Sequence, residues 1–325
     1  RGPGPGEPQK LPAMDAAATD PLRAVGDFVR WAASRFQAAG VHYGHGTDNA
    51  SDEAAALVLG SLSLPADLPA LYFDGALTGD ERERLFARID ERVHQRRPVP
   101  YILGEAWFCG LVFGVDEQVL IPRSPIAELI ESGFAPWVDP ARLRRIADVG
   151  TGSGCIAIAT ALALPSVQVD ALDCSPAALN WTARNAERYG VGDRVRAQAS
   201  DLLDAIPSEP LLDLIVSNPP YVDAPAMAAL PPEYRHEPRD ALAAGEDGLD
   251  AVRRLLPQAA QRLTDHGVLI AEVGHGAAAF EAAFPRLPVT WLEFERGGEG
   301  VFMVDADTLR AAAAAGEIPR LNGDD

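Results

Sequence analysis

The sequence predicts an α/β fold in which a mainly parallel, seven-stranded sheet carries helices on both faces. From Arg144 onward, short apolar segments alternate with helical segments. The predicted strands are RIADVG, VQVDALD, RVRAQAS, LDLIVS, GVLIAEVG, VTWLEFE and GVFMVD. Such alternation is typical of parallel strands joined by helical crossovers, and the last two strands are close enough in sequence to form a hairpin. Ligands of such sheets bind at the carboxyl ends of the strands.

Helical and hairpin patterns precede the sheet. Apolar residues at helical spacing, such as Phe28, Ala32 and Phe36, predict a small helical domain. Aromatic and β-branched residues interrupted by glycines follow, and they predict a β-hairpin connector. The predicted organisation is a disordered tail (1–14), a helical domain (15–100), a β-hairpin connector (101–123), an α/β domain (124–305) and a C-terminal tail (306–325) that contains a short helix.

Composition favours a globular chain with two domains. Of the 325 residues, 47% are hydrophobic and 23% are charged. The longest apolar runs, such as Cys155 to Leu164, are shorter than the roughly 18 residues that a membrane span requires, and no signal-peptide pattern precedes the first helical segment. We therefore expect a soluble, cytoplasmic protein without a membrane partner. The three cysteines are scattered and fit neither a disulfide framework nor a metal site, so no metal is predicted.

The chain is strongly acidic. Its formal net charge is −19 and its pI is near 4.7, the opposite of the basic surface with which proteins hold nucleic-acid phosphates. This charge disfavours nucleic acid as the direct substrate and favours a basic protein partner, which an acidic surface would attract electrostatically. Solubility alone is the alternative explanation.

A glycine-rich turn follows the first strand. The segment DVGTGSG places glycines at 150, 152 and 154 between a strand and a helix, where they allow a tight turn and a close approach to a ligand. Asp173 ends the next strand, at a separation suited to hydrogen bonds with ribose hydroxyls. The spacing differs from the dinucleotide fingerprint G-x-G-x-x-G, which argues against a dehydrogenase.

Two further carboxylates accompany this turn. Asp201 follows the third strand and could accept a hydrogen bond from an adenine amino group, or cap a helix without contacting a ligand. Asp148, just before the glycine turn, either fixes that loop or receives an ammonium group of the ligand. Acidic or glycine-rich ends on three successive strands favour a ligand site over unrelated structural roles.

The fourth strand ends at Asn218-Pro219-Pro220-Tyr221. A residue before proline is kept out of the α region, so Asn218 stays extended at the strand end. The prolines cannot continue a ladder of hydrogen bonds, so the carbonyl groups here are expected to lack backbone partners. The carboxamide and one carbonyl could hold both N–H bonds of a substrate amino group, while Tyr221 covers its plane. The alternative is an ordinary Asn-Pro turn.

The segments DVGTGSG, ALD, SDLL and SNPPY, in this order, resemble the class I S-adenosylmethionine-dependent methyltransferases that methylate planar nitrogens. Asn-Pro-Pro-Tyr occurs there in adenine amino methyltransferases and in protein-glutamine methyltransferases of the HemK/PrmC and PrmB type. The connector, RRPVPYILGEAWFCGLVFGVDEQVLIPRSP, and the loop EPRDALAAGEDGLD resemble the glutamine enzymes. The strings IPRSPIAELI, GHGTDNASDEA and EYRHEP are similar to the PrmB branch, whose substrate is the ribosomal protein uL3.

The resemblance implies a Rossmann-like catalytic domain, a helical domain that recognises the substrate, S-adenosyl-L-methionine as the cofactor and N-methylation of a glutamine amide. Asn218, Pro219 and Tyr221 would be catalytic, and Pro220 would join them in binding the substrate amide. The implied cofactor-binding residues are Asp148, Gly150, Thr151, Gly152, Gly154, Asp173, Asp201 and Asn218.

Several functions stay open at this point. The favoured one is methylation of a glutamine in uL3, and the same chemistry on a peptide release factor is the second. An adenine amino methyltransferase would have to flip or capture a single-stranded base, and both the acidity and the small helical domain disfavour it. A cofactor-binding module without catalysis is disfavoured by the intact Asn-Pro-Pro-Tyr.

Overall fold

A computed structural model describes residues 21–209 and 211–319. The predicted disordered tail, 1–14, and the last residues of the predicted C-terminal tail, 320–325, lie outside the described residues. No helix in the described ranges has the length and apolar character to cross a bilayer.

The chain divides into two compact units. The first, here called the helical unit, contains the residues up to Ala106 together with Pro231–His236, which we call the inserted segment. The second, the α/β unit, contains Trp107–Leu230 and the residues from Glu237 onward. The helical unit thus includes a segment that the sequence analysis assigned to the α/β domain.

The helical unit is built on helices α1 (Val25–Ala39), α2 (Ala50–Ser61), α3 (Gly79–Asp90) and α4 (Val99–Leu103). Asn49 caps α2, because its side chain accepts hydrogen bonds from two N–H groups of the first turn. Thr78 caps α3 and forms a capping box with Glu81. The apolar faces of these helices enclose a core that includes Phe28, Phe36, Leu57, Leu85 and Ile89.

A buried ion network connects the inserted segment to the other residues of the helical unit. Glu233 is fully buried; it accepts a hydrogen bond from the N–H of His42 at 2.9 Å and lies 3.3 and 3.4 Å from the guanidinium nitrogens of Arg92 and Arg96. Arg92 is 1% exposed and also donates to Glu53 and to the His42 carbonyl oxygen. Burial raises the pKa of Glu233, but the His42 hydrogen bond and the two arginines outweigh it, so the pKa lies below its ordinary value.

The connector contains strands β1 (Glu105–Phe108) and β2 (Leu111–Gly114), which pair as a two-stranded sheet. The sequence predicted a connector from residue 101, whereas α4 occupies its first residues. Pro100 stands in the first turn of α4, where the N–H that proline lacks would have no helical partner. Gly104, in the left-handed conformation, ends the helix.

The α/β unit contains a seven-stranded sheet with the order β5-β4-β3-β6-β7-β9-β8. Strands β3 to β7 are parallel, and β9 is antiparallel to both of its neighbours. The predicted fold class is therefore confirmed, including the hairpin of the last two strands. The strands are β3 (Arg145–Val149), β4 (Gln168–Asp173), β5 (Val195–Ala199), β6 (Leu212–Ser217), β7 (Leu263–Glu272), β8 (Thr290–Trp291) and β9 (Val301–Asp305).

One helix of this unit lies where the sequence predicted a short helix in a C-terminal tail, outside the α/β domain. Asp305 caps α11, Gly316 ends it in the left-handed conformation, and Leu309 is fully buried in the core beside the sheet. Residues 306–315 therefore belong to the packed α/β unit, because Leu309 and the alanines around it form one apolar helix face. The helices are α5 (Ile126–Glu131), α6 (Cys155–Ala163), α7 (Pro176–Arg188), α8 (Ala224–Ala229), α9 (Asp250–Arg262), α10 (Ala277–Ala283) and α11 (Ala306–Ala315).

The direction of the strand order reverses at β3, which lies between β4 and β6. The chain passes from β3 to β4 on one side and later adds β6 on the other. Such a reversal opens a crevice at the carboxyl ends of the two central strands. The glycine turn, the acidic strand ends and Asn-Pro-Pro-Tyr all follow carboxyl ends of these parallel strands, so they lie along one edge of the sheet.

Candidate active site

The glycine turn after β3 has a left-handed backbone. Gly150, Gly152 and Gly154 have φ angles of +76°, +57° and +82°, a region in which other residues are strained. At Gly154 an added Cβ would lie 3.0 Å from Thr182, whereas at Gly152 it would meet nothing within 4 Å. The turn is packed on its helix side and open at Gly152, where a ligand can approach the backbone.

Thr151 and Asp148 hold this turn in place. The N–H groups of Gly150 and Thr151 donate to the Leu172 carbonyl oxygen at 2.8 and 2.9 Å. Asp148 is 1% exposed, and its Oδ2 accepts from Thr151 Oγ1 at 2.6 Å and from the Ala157 N–H at 3.1 Å. Its Oδ1 accepts no hydrogen bond from the described residues. Burial raises the pKa of Asp148 to about 7, although the two hydrogen bonds oppose the change.

Asp173 connects β4 to the same turn. Its Oδ2 accepts from the Gly152 N–H at 2.9 Å, and its Oδ1 accepts from the Ser175 N–H at 2.8 Å. Burial raises the pKa of Asp173, and these backbone hydrogen bonds partly offset the effect. Because each carboxylate oxygen has two lone pairs, Asp173 can accept further hydrogen bonds from a ligand.

Asp201 follows β5 and is paired with an arginine. Nη2 of Arg254, in α9, lies 2.5 Å from its Oδ2, and both side chains are more than half exposed. The predicted helix-cap alternative does not apply, because the residues after Asp201 form a turn rather than a helix. An exposed pair of this kind adds little to stability, and a contact of Asp201 with an adenine amino group stays a prediction.

A hydrogen bond fixes the orientation of the Asn218 carboxamide, which follows strand β6 directly. Ser217, the last residue of β6, donates to the Val149 carbonyl oxygen at 2.8 Å and ties β6 to β3. Asn218 Nδ2 donates to the Arg123 carbonyl oxygen at 3.1 Å, and only the NH2 side of the carboxamide can do so. Among the described residues, none donates a hydrogen bond to Asn218 Oδ1. Likewise, no backbone N–H of the described chain donates to the carbonyl oxygen of Pro219, a buried residue. Two neighbouring residues therefore each present an acceptor.

Tyr221 is fixed from two directions. Its ring packs on the backbone of Gly274, where an added Cβ would lie 2.6 Å from the ring. Its side chain is hydrogen-bonded to the carboxylate of Glu272. The next residue, Val222, exchanges backbone hydrogen bonds of 2.8 and 2.9 Å with Leu242 and Ala244. The half-buried Pro220 lies between these anchored positions.

Known proteins are similar to this chain over most of its length. The profile of the methyltransferase small domain matches residues 134–230. A ribosomal protein uL3 glutamine methyltransferase of Bordetella pertussis is 48% identical over 89% of this chain and 97% of its own length. One of Neisseria meningitidis serogroup B is 46% identical over 90% of this chain and 96% of its own. The chain belongs to the uL3 glutamine methyltransferase family. The predicted family and enzyme class are thereby confirmed.

Solved structures are less similar to this member of the family than the relatives above. The hMettl16 catalytic domain in complex with MAT2A 3'UTR hairpin 6 is 20% identical, covers 70% of this chain and 82% of that chain, and has a TM-score of 0.47.

One buried carboxylate holds the connector beside the family's Asn-Pro-Pro-Tyr segment, and this role was not predicted from the sequence. Glu237 is 5% exposed and binds Arg123 through two parallel hydrogen bonds of 2.6 and 2.7 Å. It also accepts from the Ile121 N–H at 3.1 Å. Glu237 thus fixes the segment whose Arg123 carbonyl orients Asn218. Nothing in the local pattern distinguishes Glu237 from a surface carboxylate.

Asn185 of α7 is a second functional candidate that the sequence analysis missed. Its Oδ1 accepts from the Gly114 N–H at 2.9 Å, and its Nδ2 donates to the carbonyl oxygens of Gly114 and Ser153 at 3.1 and 2.8 Å. This buried amide therefore joins β2 of the connector to the glycine turn. An asparagine inside a helix gives no sequence signal for such a contact.

Proposed function

We propose that this chain transfers the methyl group of S-adenosyl-L-methionine to the side-chain amide nitrogen of a glutamine in ribosomal protein uL3. The observation that carries the proposal is the pair of acceptors after β6, Asn218 Oδ1 and the Pro219 carbonyl. Two adjacent acceptors suit the two N–H bonds of a primary amide. The names of the relatives that cover nearly the whole chain support the same substrate.

The residues at the glycine turn suit the cofactor. The Asp148 Oδ1, which accepts no hydrogen bond from the described residues, would receive the ammonium group, and the open backbone at Gly152 leaves room for the methionine part. The cofactor, when bound, supplies an activated methyl group on a sulfonium. The residues proposed to hold it are Asp148, Gly150, Thr151, Gly152, Gly154, Asp173 for the ribose, Asp201 for the adenine amino group, and Asn218.

The protein's own contribution to the reaction is to position the substrate. An amide nitrogen is a poor nucleophile because its lone pair is delocalised. Asn218 and Pro219 would accept its N–H bonds, aim the nitrogen and stabilise the positive charge that develops on it, while Pro220 and Tyr221 would pack against the amide plane. Fixed geometry of this kind can contribute on the order of 7–11 kcal/mol. Methyl transfer would break the S–CH3 bond and release S-adenosyl-L-homocysteine, and the methylated, cationic amide is acidic enough to lose an N–H proton to water, so no strong general base is needed.

The charge of the chain supports a protein substrate that is basic. A net charge of −19 would attract a cationic ribosomal protein and repel nucleic-acid phosphates. The proposal assigns substrate recognition to the helical domain (15–100) and chemistry to the α/β domain (124–305). A ribosomal substrate would place the activity in the cytoplasm, with neither a membrane nor nucleic acid as a direct partner.

The test uses methyl-labelled S-adenosyl-L-methionine and separate incubations with purified uL3, a peptide release factor and stripped ribosomal RNA. Label that mass spectrometry maps to one glutamine of uL3 would support the proposal. Label in the release factor would keep the chemistry and change the substrate. Label in the RNA alone would contradict the proposed substrate class.

Replacement of Asp173 by asparagine is expected to weaken cofactor binding. Hydrogen bonds to charged groups contribute about 1.5–3 kcal/mol, so the Kd for S-adenosyl-L-methionine should rise about 10- to 100-fold. Titration calorimetry measures this change. Asp193→Asn is the matched control, because Asp193 is an exposed aspartate. An unchanged Kd in Asp173→Asn would show that Asp173 does not bind the cofactor.

Cofactor affinity is expected to depend on pH through Asp148. The carboxyl must be ionised to receive an ammonium group, and in the free protein its pKa is about 7. As the pH falls below this pKa, binding must displace a proton, so affinity should decrease by up to about tenfold per pH unit. Above this pKa the affinity should level off. Calorimetry on both sides of pH 7 measures the slope, and the same slope in Asp148→Asn would contradict the assignment.

A further inference from the structure

A buried carboxylate lies beside Asn-Pro-Pro-Tyr and has no part in the mechanism above. Glu272 is the last residue of β7 and is 4% exposed. Ala271, just before it, pairs with Ser217 of β6, so Glu272 lies at the same strand edge as Asn218. A carboxylate at this depth requires hydrogen-bond donors, because burying a charge without partners is costly.

Glu272 is held by donors from two different parts of the site. Ser124 Oγ donates to Glu272 Oε2 at 2.6 Å. The Tyr221 side chain is hydrogen-bonded to the same carboxylate, and Arg123 adds a nearby positive charge. Burial raises the pKa of Glu272, while these groups act in the opposite direction.

Both donors adjoin groups that would hold the substrate amide. Ser124 follows Arg123, whose carbonyl oxygen orients the Asn218 carboxamide. Tyr221 is the residue proposed to cover the amide plane, and its ring rests on Gly274, which has no side chain to obstruct it. One carboxylate therefore restrains the tyrosine ring and the Arg123–Ser124 backbone together.

We propose that Glu272 is a positioning residue, which sets the plane of the Tyr221 ring and the orientation of Asn218 for the substrate amide. The inference rests on the proposed glutamine methylation. Glu272 acts through Tyr221 and Ser124, without contact with the amide or the cofactor. Its loss should therefore lower kcat and leave cofactor affinity intact.

The experiment measures kcat, the KM for uL3 and the Kd for S-adenosyl-L-methionine in Glu272→Gln. Glutamine keeps the shape but offers only one acceptor oxygen, so kcat should fall about 10- to 100-fold. Tyr221→Phe and Ser124→Ala each remove a hydrogen-bond donor to Glu272. They provide the same test if Glu272→Gln fails to fold. Glu293→Gln is the control, because Glu293 is exposed in the same unit, and its kinetics should match those of the unaltered protein.

Two readouts separate positioning from general damage to the fold. The double variant Glu272→Gln, Tyr221→Phe should be no slower than the slower of the two single variants. The reason is that both substitutions disrupt the same hydrogen bond, the one between Tyr221 and Glu272. In protein with 13C-labelled tyrosine, the ring resonance of Tyr221, assigned by its loss in Tyr221→Phe, should shift in Glu272→Gln and stay in place in Glu293→Gln. This second readout requires no substrate.

The outcomes distinguish this inference from the proposed function. A lower kcat with an unchanged Kd and a shifted Tyr221 resonance supports the role of Glu272. Unchanged kinetics or an unshifted resonance overturns it. If the unaltered protein methylates none of the offered substrates, the proposed function fails, and the Tyr221 resonance still decides whether Glu272 positions the ring.

Discussion

Replacement of Asn218 by alanine is expected to lower kcat for uL3 methylation by at least about 10²- to 10³-fold, as when one preorganised hydrogen-bonding group is removed from an active site. The change removes the Oδ1 acceptor and also releases the Arg123 carbonyl oxygen from its partner. Affinity for the cofactor should be retained, because the glycine turn and Asp173 carry most of the proposed contacts. The labelled-methyl assay and calorimetry measure the two effects separately.

Asn180 provides a matched control for this variant. It is an exposed asparagine in α7, and Asn180→Ala should transfer methyl groups at the normal rate. Normal turnover in Asn218→Ala would show that the substrate amide is held by other groups. Loss of both turnover and cofactor binding would contradict the prediction, because it would show that cofactor binding depends on Asn218.

Replacement of Arg92 by methionine is expected to destabilise the helical unit by about 3–5 kcal/mol, the usual cost when one member of a buried ion pair is removed. The substitution keeps much of the side-chain volume but leaves Glu53 and Glu233 buried without their shared cation. Thermal and denaturant unfolding, followed by circular dichroism, measure the effect.

Arg84 is the control for the Arg92 variant because it is exposed on α3. Arg84→Met should change the free energy of unfolding by no more than about 0.5 kcal/mol. Adding Glu233→Gln to Arg92→Met should recover part of the loss, since it removes one of the uncompensated charges. Equal stabilities of Arg92→Met and Arg84→Met would mean that the network does not stabilise the unit.

The strands and the central motifs could be predicted because their signals are local. The alternation of apolar strands with helices indicated the sheet, and the turn at Gly150 and the prolines after Asn218 marked two strand ends. The parallel topology then placed these ends at one edge. Glu272 lies near the end of the predicted strand GVLIAEVG and ends β7 in the structure, but its place inside the predicted strand hid it from the search for acidic strand ends.

The remaining features depend on contacts between residues far apart in the chain. The hydrogen bond from His42 to Glu233 joins positions 191 residues apart, and the Arg123–Glu237 pair joins positions 114 apart. No periodicity or composition near Glu233 indicates that it is buried in the helical unit. Helix α11 was predicted as a short helix in a tail and not as part of the packed domain, because a run of alanines gives little sign of the surface it will cover.

The inserted segment is synthesised long after the helices to which its Glu233 is hydrogen-bonded. The helices up to Ala106 leave the ribosome first, but Arg92 lacks the Glu233 carboxylate until the chain has been synthesised through the inserted segment. The buried ion network of the helical unit therefore cannot be completed during the early part of translation. A chain that began at Trp107 would have the opposite defect, because it would carry Glu233 without either arginine. Neither unit can be obtained whole by cutting the chain once.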